Sequence, residues 1–466
     1  MMIQPFSPGK TTYCRLLPPI ARSFERWKMK KLGRSMRSDH TRIPFLRQVL
    51  PPPPGYTYFG QFIMHDLTQD DTPLSEKHPP EPPEIANHRT PFLDLDSVYG
   101  NGPFSADRVL YEEDRASFKL GSAHTESRVL FDVPLDEKRK ALIADCRNNE
   151  NLIIRQIHAM FLKLHNQAVK EVCEVVPAAD IFETARNRVT LQYQWLVREF
   201  LGRVCKDTVF DEIVKQGKRA IDWGNRFAIP VEFAHGVARF GHSMVRPEYD
   251  LTKNDHHVPI ATIFREAHKR GAIKTELAID WRRMLATSGK GSNAIDTTII
   301  NALFELGPKS IQPFVEHLTW IETLKLPIRT LYRHITMKLP SGEEVQALVA
   351  PGAKLSDPAL DSDFENENPG YRPFEHLNAL DLHGSTPLWY FILLEAEVNE
   401  GGGTLGEVGS RMLAEVLEGA LRASPCSILK ELEQDPTWRP PAWSTLKGPL
   451  LIDNLFDVAV ALGLAQ

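Results

Sequence analysis

Residues 58–71 read YFGQFIMHDLTQDD, an apolar run interrupted by Gln61, His65 and Asp66. The pattern predicts a helix over 60–68. On a helix, Gln61 and His65 are four apart and share a face, while Asp66 is turned about 100° from His65. A buried neutral histidine can take up and return a proton near neutral pH. His65 is therefore a candidate base with Gln61 beside it, although a core helix with one hydrogen-bonded histidine fits the same residues. The adjacent His65 and Asp66 need not serve one site.

Twenty residues on, TPFLDLDSVYG (90–100) places Thr90, Phe92, Asp94 and Asp96 at every second position. In an extended loop this spacing aims oxygens one way, with Phe92 contributing its backbone carbonyl. Calcium takes six to eight oxygens at about 2.3–2.6 Å. Asp66, Asp94 and Asp96 with Thr90 and Phe92 supply such a set; a half-buried strand, or a turn with solvated aspartates, is the other reading.

Together the two stretches resemble the peroxidase–cyclooxygenase superfamily, the haem peroxidases of animal type and their microbial relatives. There a Gly-Gln-x-x-x-His-Asp segment carries the distal histidine, and the next aspartate binds calcium with a Thr-x-Phe-x-Asp-x-Ser loop. The resemblance implies that His65 is the distal base, that Gln61 lines its pocket, and that Asp66, Thr90, Phe92, Asp94 and Asp96 hold Ca²⁺. Asp96 stands where animal members usually have serine. Calcium would then set the angle at which the histidine faces the haem.

Three further segments extend the likeness. CRNNENLIIRQIHAMFLKLHN (146–166) matches Arg-x-x-Glu followed by a histidine-bearing helix, which implies Arg147 as distal arginine; a surface Arg147–Glu150 pair is the plain alternative. His158 and His165 read as structural. HGVARFGHSMVRPEY (235–249) implies His242 as the iron ligand, ahead of His235, which lacks the preceding Phe-Gly. KLPIRTLYRHITMKLPSGEEV (325–345) has Thr330 where the family shows an asparagine that supports the proximal imidazole. Arg333 matches a family arginine near a haem propionate.

Departures shape the expectation. Met64 occupies the position of an ester-forming aspartate and Asn151 that of a sulfonium-forming methionine, so haem b is expected with at most one ester, through Glu150. The tyrosine of cyclooxygenases and α-dioxygenases, three residues before the proximal histidine, is Arg239 here. The expected activity is a haem peroxidase that reduces H₂O₂ and oxidises small organic donors or a halide. The alternatives are a fatty-acid dioxygenase of the same fold and a redox-inactive, calcium-stiffened scaffold.

The rest of the chain fits a mainly α protein. Helical patterns run over 151–172, 180–204, 232–245 and 407–423, and strand patterns are scarce. VNEGGGTLG (398–406) reads as a hinge loop rather than a phosphate cradle, since no Lys-Ser/Thr follows it. The expectation is a disordered basic arm over 1–45 and one large helical domain over 46–466, with few short strands. Of the 466 residues, 42% are apolar and 25% charged, and the net charge is −5. That balance gives no reason to expect nucleic acid as a partner. No apolar run approaches the roughly 20 residues of a membrane helix. Five scattered cysteines without a CxxC pair point to a reducing, cytoplasmic setting.

Overall fold

The computed structural model describes residues 11–19, 24–38, 50–72, 74, 84–124, 129–224, 226–252, 257–286, 291–306, 325–355, 357 and 372–465. Residues 1–10, 20–23 and 39–45 of the basic segment, and 77–83 of the proline-rich loop after it, lie outside this set. The remainder of the basic segment is not a disordered arm. Arg26–Ser35 forms helix α1 and buries Met29, Leu32 and Gly33. Thr11–Thr12 pairs antiparallel with Ala86–Asn87, and Arg37–Ser38 pairs with Ile299–Ile300. The basic composition hid an apolar stripe that needs a distant helix to cover it.

Gly55–Leu67 forms α2. Its residues are buried except for Gly60, Gln61, Met64 and His65, which are half-buried. That i, i+1, i+4, i+5 stripe faces a cavity; the rest of the helix is core. Leu152–Val172 (α3) is capped by Asn151, whose side-chain oxygen accepts from Ile153 N and Ile154 N at 3.0 Å each. Such a cap contributes about 1 kcal/mol. Ile181–Val204 (α4) packs along α3. Rings lock the three helices together. Phe62 of α2 stacks on Phe161 of α3 with centroids 4.9 Å apart, and Tyr193 of α4 meets Phe62 edge-on at 6.1 Å. Aromatic pairs of this kind add about 0.5–1.5 kcal/mol beyond area burial, and here they fix the rotation of α2.

The helix expected over 232–245 is broken. Val231–His235 is α5, and Val237–His242 is a 3₁₀ turn. The break falls at Gly236, where a Cβ would lie 2.6 Å from Glu232 O and 2.7 Å from Leu388 Cδ2. Leu326–Thr336 (α6) covers α1. Leu388–Glu400 (α7) and Glu407–Ala423 (α8) complete the frame. Between them Gly401 and Gly402 have φ of 57° and 74°, and a Cβ on Gly402 would sit 2.8 Å from Ala294 Cβ. The glycine loop is thus a packed turn. Among the described residues, strands occur only as short two-stranded pairs, so the mainly α reading holds.

Candidate active site

The half-buried stripe of α2 lines a cavity of about 680 Å³. Gln61, Met64 and His65 reach it from α2, Arg147 and Glu150 from the segment before α3, His242 from the 3₁₀ turn, and Thr330 and Arg333 from α6. Every non-calcium residue expected at the site therefore lines one cavity; His158 and His165, read as structural, do not. Phe264, Leu303 and Leu306 form an apolar part of its wall.

The segment 146–151 grips α2. Asn148 Oδ1 lies 3.0 Å from His65 Nδ1. Gln61 Nε2 donates to Glu150 Oε2 at 2.8 Å, and Asn151 Nδ2 donates to Gln61 Oε1 at 3.2 Å. Burial, aided by the Arg147 charge, pulls the His65 pKa down to about 3, so the ring is neutral at physiological pH. Burial also raises the Glu150 carboxyl above its usual range, with Arg329 opposing it.

Arg147 does more holding than its expected role requires. Nη2 donates to His65 O at 2.8 Å and to Asp145 Oδ2 at 2.6 Å; Nη1 donates to Thr68 O at 2.6 Å, and Nε to Asp145 Oδ1 at 3.0 Å. Two of these acceptors are carbonyls at the C-terminal end of α2, which need donors. One of the five guanidinium hydrogens, on Nη1, is left without a described acceptor.

His242 is held differently. Thr330 Oγ1 is 3.5 Å from its Nδ1, a long contact, and donates to Leu326 O at 3.0 Å. The Trp389 ring of α7 packs edge-on at 5.9 Å, and Trp389 Nε1 donates to Arg239 O at 3.0 Å. Burial, then Arg239 and Arg329, keeps the His242 imidazole neutral.

Three arginines, Arg239, Arg329 and Arg333, line the cavity near one another. Burial first, then the other two guanidiniums, lowers the Arg239 pKa to about 10; Arg329 and Arg333 are lowered mainly by burial. Their described counter-charges are Asp70, 3.6 Å from Arg333, the more exposed Asp71, which also acts on Arg333, and Glu150, which acts on Arg329. His235 also lines the cavity, with Nε2 3.2 Å from Asp70 Oδ2. Arg239, Arg329 and Asn148 were not singled out as site residues. Arg329 and Arg333 had a legible signal: two like charges four apart on a helix repel unless an anion lies between them.

Behind α2, Asp66, Asp94 and Asp96 bring carboxylate oxygens within 4.8 Å of one another. Residues 91–94 are bends rather than an extended loop, Leu95 is left-handed with φ 59°, and Asp96 opens a short helix. Thr90 lies inside the cluster, its Oγ1 donating to Asp94 Oδ1 at 2.8 Å and its N to Asp96 Oδ2 at 2.9 Å. Phe92 is half-buried in the same loop. Burial, then Asp94, pushes Asp66 up to about 7 and Asp96 upward as well. Asp96 Oδ1 is buried without a described partner. Like charges crowded in this way fit a divalent cation with oxygen ligands.

A mainly helical chain thus brings three neutral histidines and a group of arginines to one cavity, with a buried carboxylate cluster behind α2. The sequence profile of the animal haem peroxidase family matches residues 71–310, just over half of the 466. The chain belongs to this family, and so to the peroxidase–cyclooxygenase superfamily, whose members generally bind haem and calcium. The matched span holds the aspartate loop, Arg147 and His242 but not Gln61 or His65. The structure is similar to peroxidase A from Dictyostelium discoideum, at 14% identity and TM-score 0.61, covering 98% of this chain and 94% of that one. It is also similar to fatty acid α-dioxygenases from Oryza sativa (14% identity, TM-score 0.60, 92% and 78% covered) and Arabidopsis thaliana (13%, 0.54, 97% and 77%). A search of curated proteins finds no match. Among the described residues, no helix is long and apolar enough to cross a membrane.

Proposed function

We propose that the chain is a haem peroxidase that reduces hydrogen peroxide at the expense of small organic donors or a halide. One observation carries this reading: His65 and His242, from separate elements, line the same cavity. The residues present fit haem b. His242 would ligate the iron, and Arg239, Arg329 and Arg333, grouped on the cavity wall, offer buried positive charge that suits two propionates. Glu150 is the carboxylate available for a single ester; Met64, on the same stripe of α2, offers none. Bound haem would supply the redox chemistry.

The chain's own residues supply binding and proton handling. With Nδ1 engaged by Asn148, His65 accepts the hydroperoxide proton at Nε2 and returns it to the departing oxygen. The charge of Arg147 lies within the cavity wall and stabilises negative charge developing there. Gln61, tied to Glu150 and Asn151, keeps the neighbouring polar surface fixed. Asp66, Asp94, Asp96, Thr90 and Phe92 would hold Ca²⁺ and with it the back of α2. The test is stopped-flow absorption after mixing haem-reconstituted protein with H₂O₂. A fast spectral change is expected, slowed at least 100-fold in His65→Ala; an unchanged rate in that variant would refute the assignment of His65.

Fatty-acid dioxygenation remains a second reading because Tyr13, Tyr56 and Tyr58 line the cavity, although Arg239 fills the usual tyrosine position. Oxygen uptake with linoleate and no added peroxide would favour it. A cytoplasmic location accompanies the proposal, motivated by cysteine usage.

A further inference from the structure

Asn148 is fully buried between two histidines. Its Oδ1 lies 3.0 Å from His65 Nδ1, and its Nδ2 lies 3.1 Å from His158 Nδ1. A side-chain amide accepts at one end and donates at the other. The two imidazoles it bridges, both neutral, must therefore be in opposite tautomers. With the amide in this orientation His65 carries its proton on Nδ1 and His158 carries it on Nε2, a buried nitrogen with no described partner.

The residue that carries the amide is held in place by its backbone. Its backbone N–H donates to Asp145 O at 3.0 Å within the 3₁₀ turn Cys146–Asn149, and that turn is tied to α2 through Arg147. His158 is fully buried on α3, outside the cavity, with the Phe62 ring against it. His65 has one nitrogen spent on Asn148, so its other nitrogen is the one left for the cavity.

We propose that Asn148 is a positioning residue: it fixes His65 as the Nδ1–H tautomer, so that the unprotonated Nε2 is presented to the cavity. A histidine in the opposite tautomer would present an N–H and could not accept a proton from a hydroperoxide. As a claim about catalysis this rests on the peroxidase reading; as a claim about the tautomer it does not.

The test uses the full-length chain labelled with ¹⁵N-histidine, without added haem, and long-range ¹H–¹⁵N correlation spectra. His65 and His158 are assigned by the signals lost in His65→Gln and His158→Gln. The wild type is expected to show His65 protonated at Nδ1 and His158 at Nε2. In Asn148→Asp the bridge accepts at both ends, so His65 keeps its tautomer and His158 switches to Nδ1–H. In Asn148→Leu His65 loses the Nδ1–H preference. A wild type with His65 as Nε2–H and His158 as Nδ1–H would mean that the amide is turned round, and would overturn the proposal. So would an unchanged His65 pattern in Asn148→Leu. Should circular dichroism show that the leucine variant does not fold, the aspartate variant decides: a His158 that stays Nε2–H overturns the proposal.

Peroxide turnover by the haem-loaded protein supplies the catalytic arm. Asn148→Leu is expected to slow it about 10- to 100-fold, a part of what general acid–base catalysis contributes, and to cause no further loss in a His65→Gln background. Equal losses in both backgrounds would make Asn148 merely structural. A wild type without peroxide turnover would refute the peroxidase reading and leave the tautomer measurement standing on its own.

Discussion

The two faces of α2 are built on opposite electrostatic plans. The cavity face carries Gln61 and His65, each hydrogen-bonded to polar side chains of the segment 146–151. Burial there keeps an ionisable ring uncharged. One residue further on, Asp66 faces Asp94 and Asp96, where burial and like charge work against ionisation. The faces are also linked. Arg89 Nη1 lies 3.9 Å from Asp96 Oδ2, its Nε donates to Asp145 Oδ2 at 3.0 Å, and Asp145 holds Arg147. A single helix can thus keep its histidine neutral and its aspartate ready for a cation, because 100° of rotation separates two environments.

Exchanging which face is damaged should separate chemistry from stability. His65→Ala is expected to lower the peroxide reaction by about 10²–10⁴-fold and leave the melting temperature within a degree or two, since it removes a half-buried ring at a cavity wall. Asp66→Asn should do the reverse, abolishing any response of the melting temperature to calcium while sparing most of the peroxide rate. Thermal scans beside stopped-flow rates check both. If Asp66→Asn slowed the reaction as much as His65→Ala, the two faces would not be separable.

Calcium removal comes next in size. A cation held at 100 times its dissociation constant stabilises by about 2.7 kcal/mol, or roughly 3 °C in the melting temperature of a chain this long. EDTA should lower the melting temperature by that order, and magnesium, which prefers a smaller octahedral shell, should not restore it.

The pH dependence should differ in sign between the faces. His65, His158 and His235 are held at about 3, 4 and 4 by burial, below the ordinary 6.5. The unfolded chain takes protons that the folded chain refuses, so this stability is fully present above 6.5 and is lost as pH falls toward 4. Without a cation, Asp66 is raised from 3.8 to about 7; its contribution is fully present below 3.8 and is lost as pH rises through 7. Calcium should therefore stabilise more at pH 8 than at pH 5. Urea midpoints with calcium and with EDTA at the two values decide this, and an equal calcium effect at both would contradict the carboxylate cluster as its site.

Much of this was legible because it is local. The α2 stripe follows from helical spacing alone, and the Asn151 cap of α3 adjoins the run it starts. Helix α8 spans the expected 407–423. What was not legible depends on distant partners. The break at Gly236 is set by Leu388, 152 positions away. Arg147 is turned toward Asp145 and the end of α2 by bonds that no Arg-x-x-Glu pattern records. Helix α1 looked like a charged arm until α6 supplied the surface that covers its apolar stripe. The aspartate loop gathers its carboxylates through the left-handed Leu95 and the Thr90 bonds, not through an extended alternation.

The smallest expected effect lies on the other histidine and tests whether the contrast between bonded and packed groups extends across the cavity. Thr330 Oγ1 sits 3.5 Å from His242 Nδ1 and already donates to Leu326 O, so it offers His242 a distant acceptor. Arg239 and Arg329 add positive charge nearby. Both features weaken the electron donation that a strongly hydrogen-bonded imidazole gives to a metal. An asparagine at 330 reaches further and brings a carbonyl acceptor, which should lower the haem midpoint potential by on the order of tens of millivolts and raise the iron–imidazole stretching frequency. Spectroelectrochemistry and resonance Raman spectra of Thr330→Asn beside the wild type measure both. A potential that rises, or does not move, would show that Thr330 already serves His242 as well as an amide does, and that the two histidines are held alike.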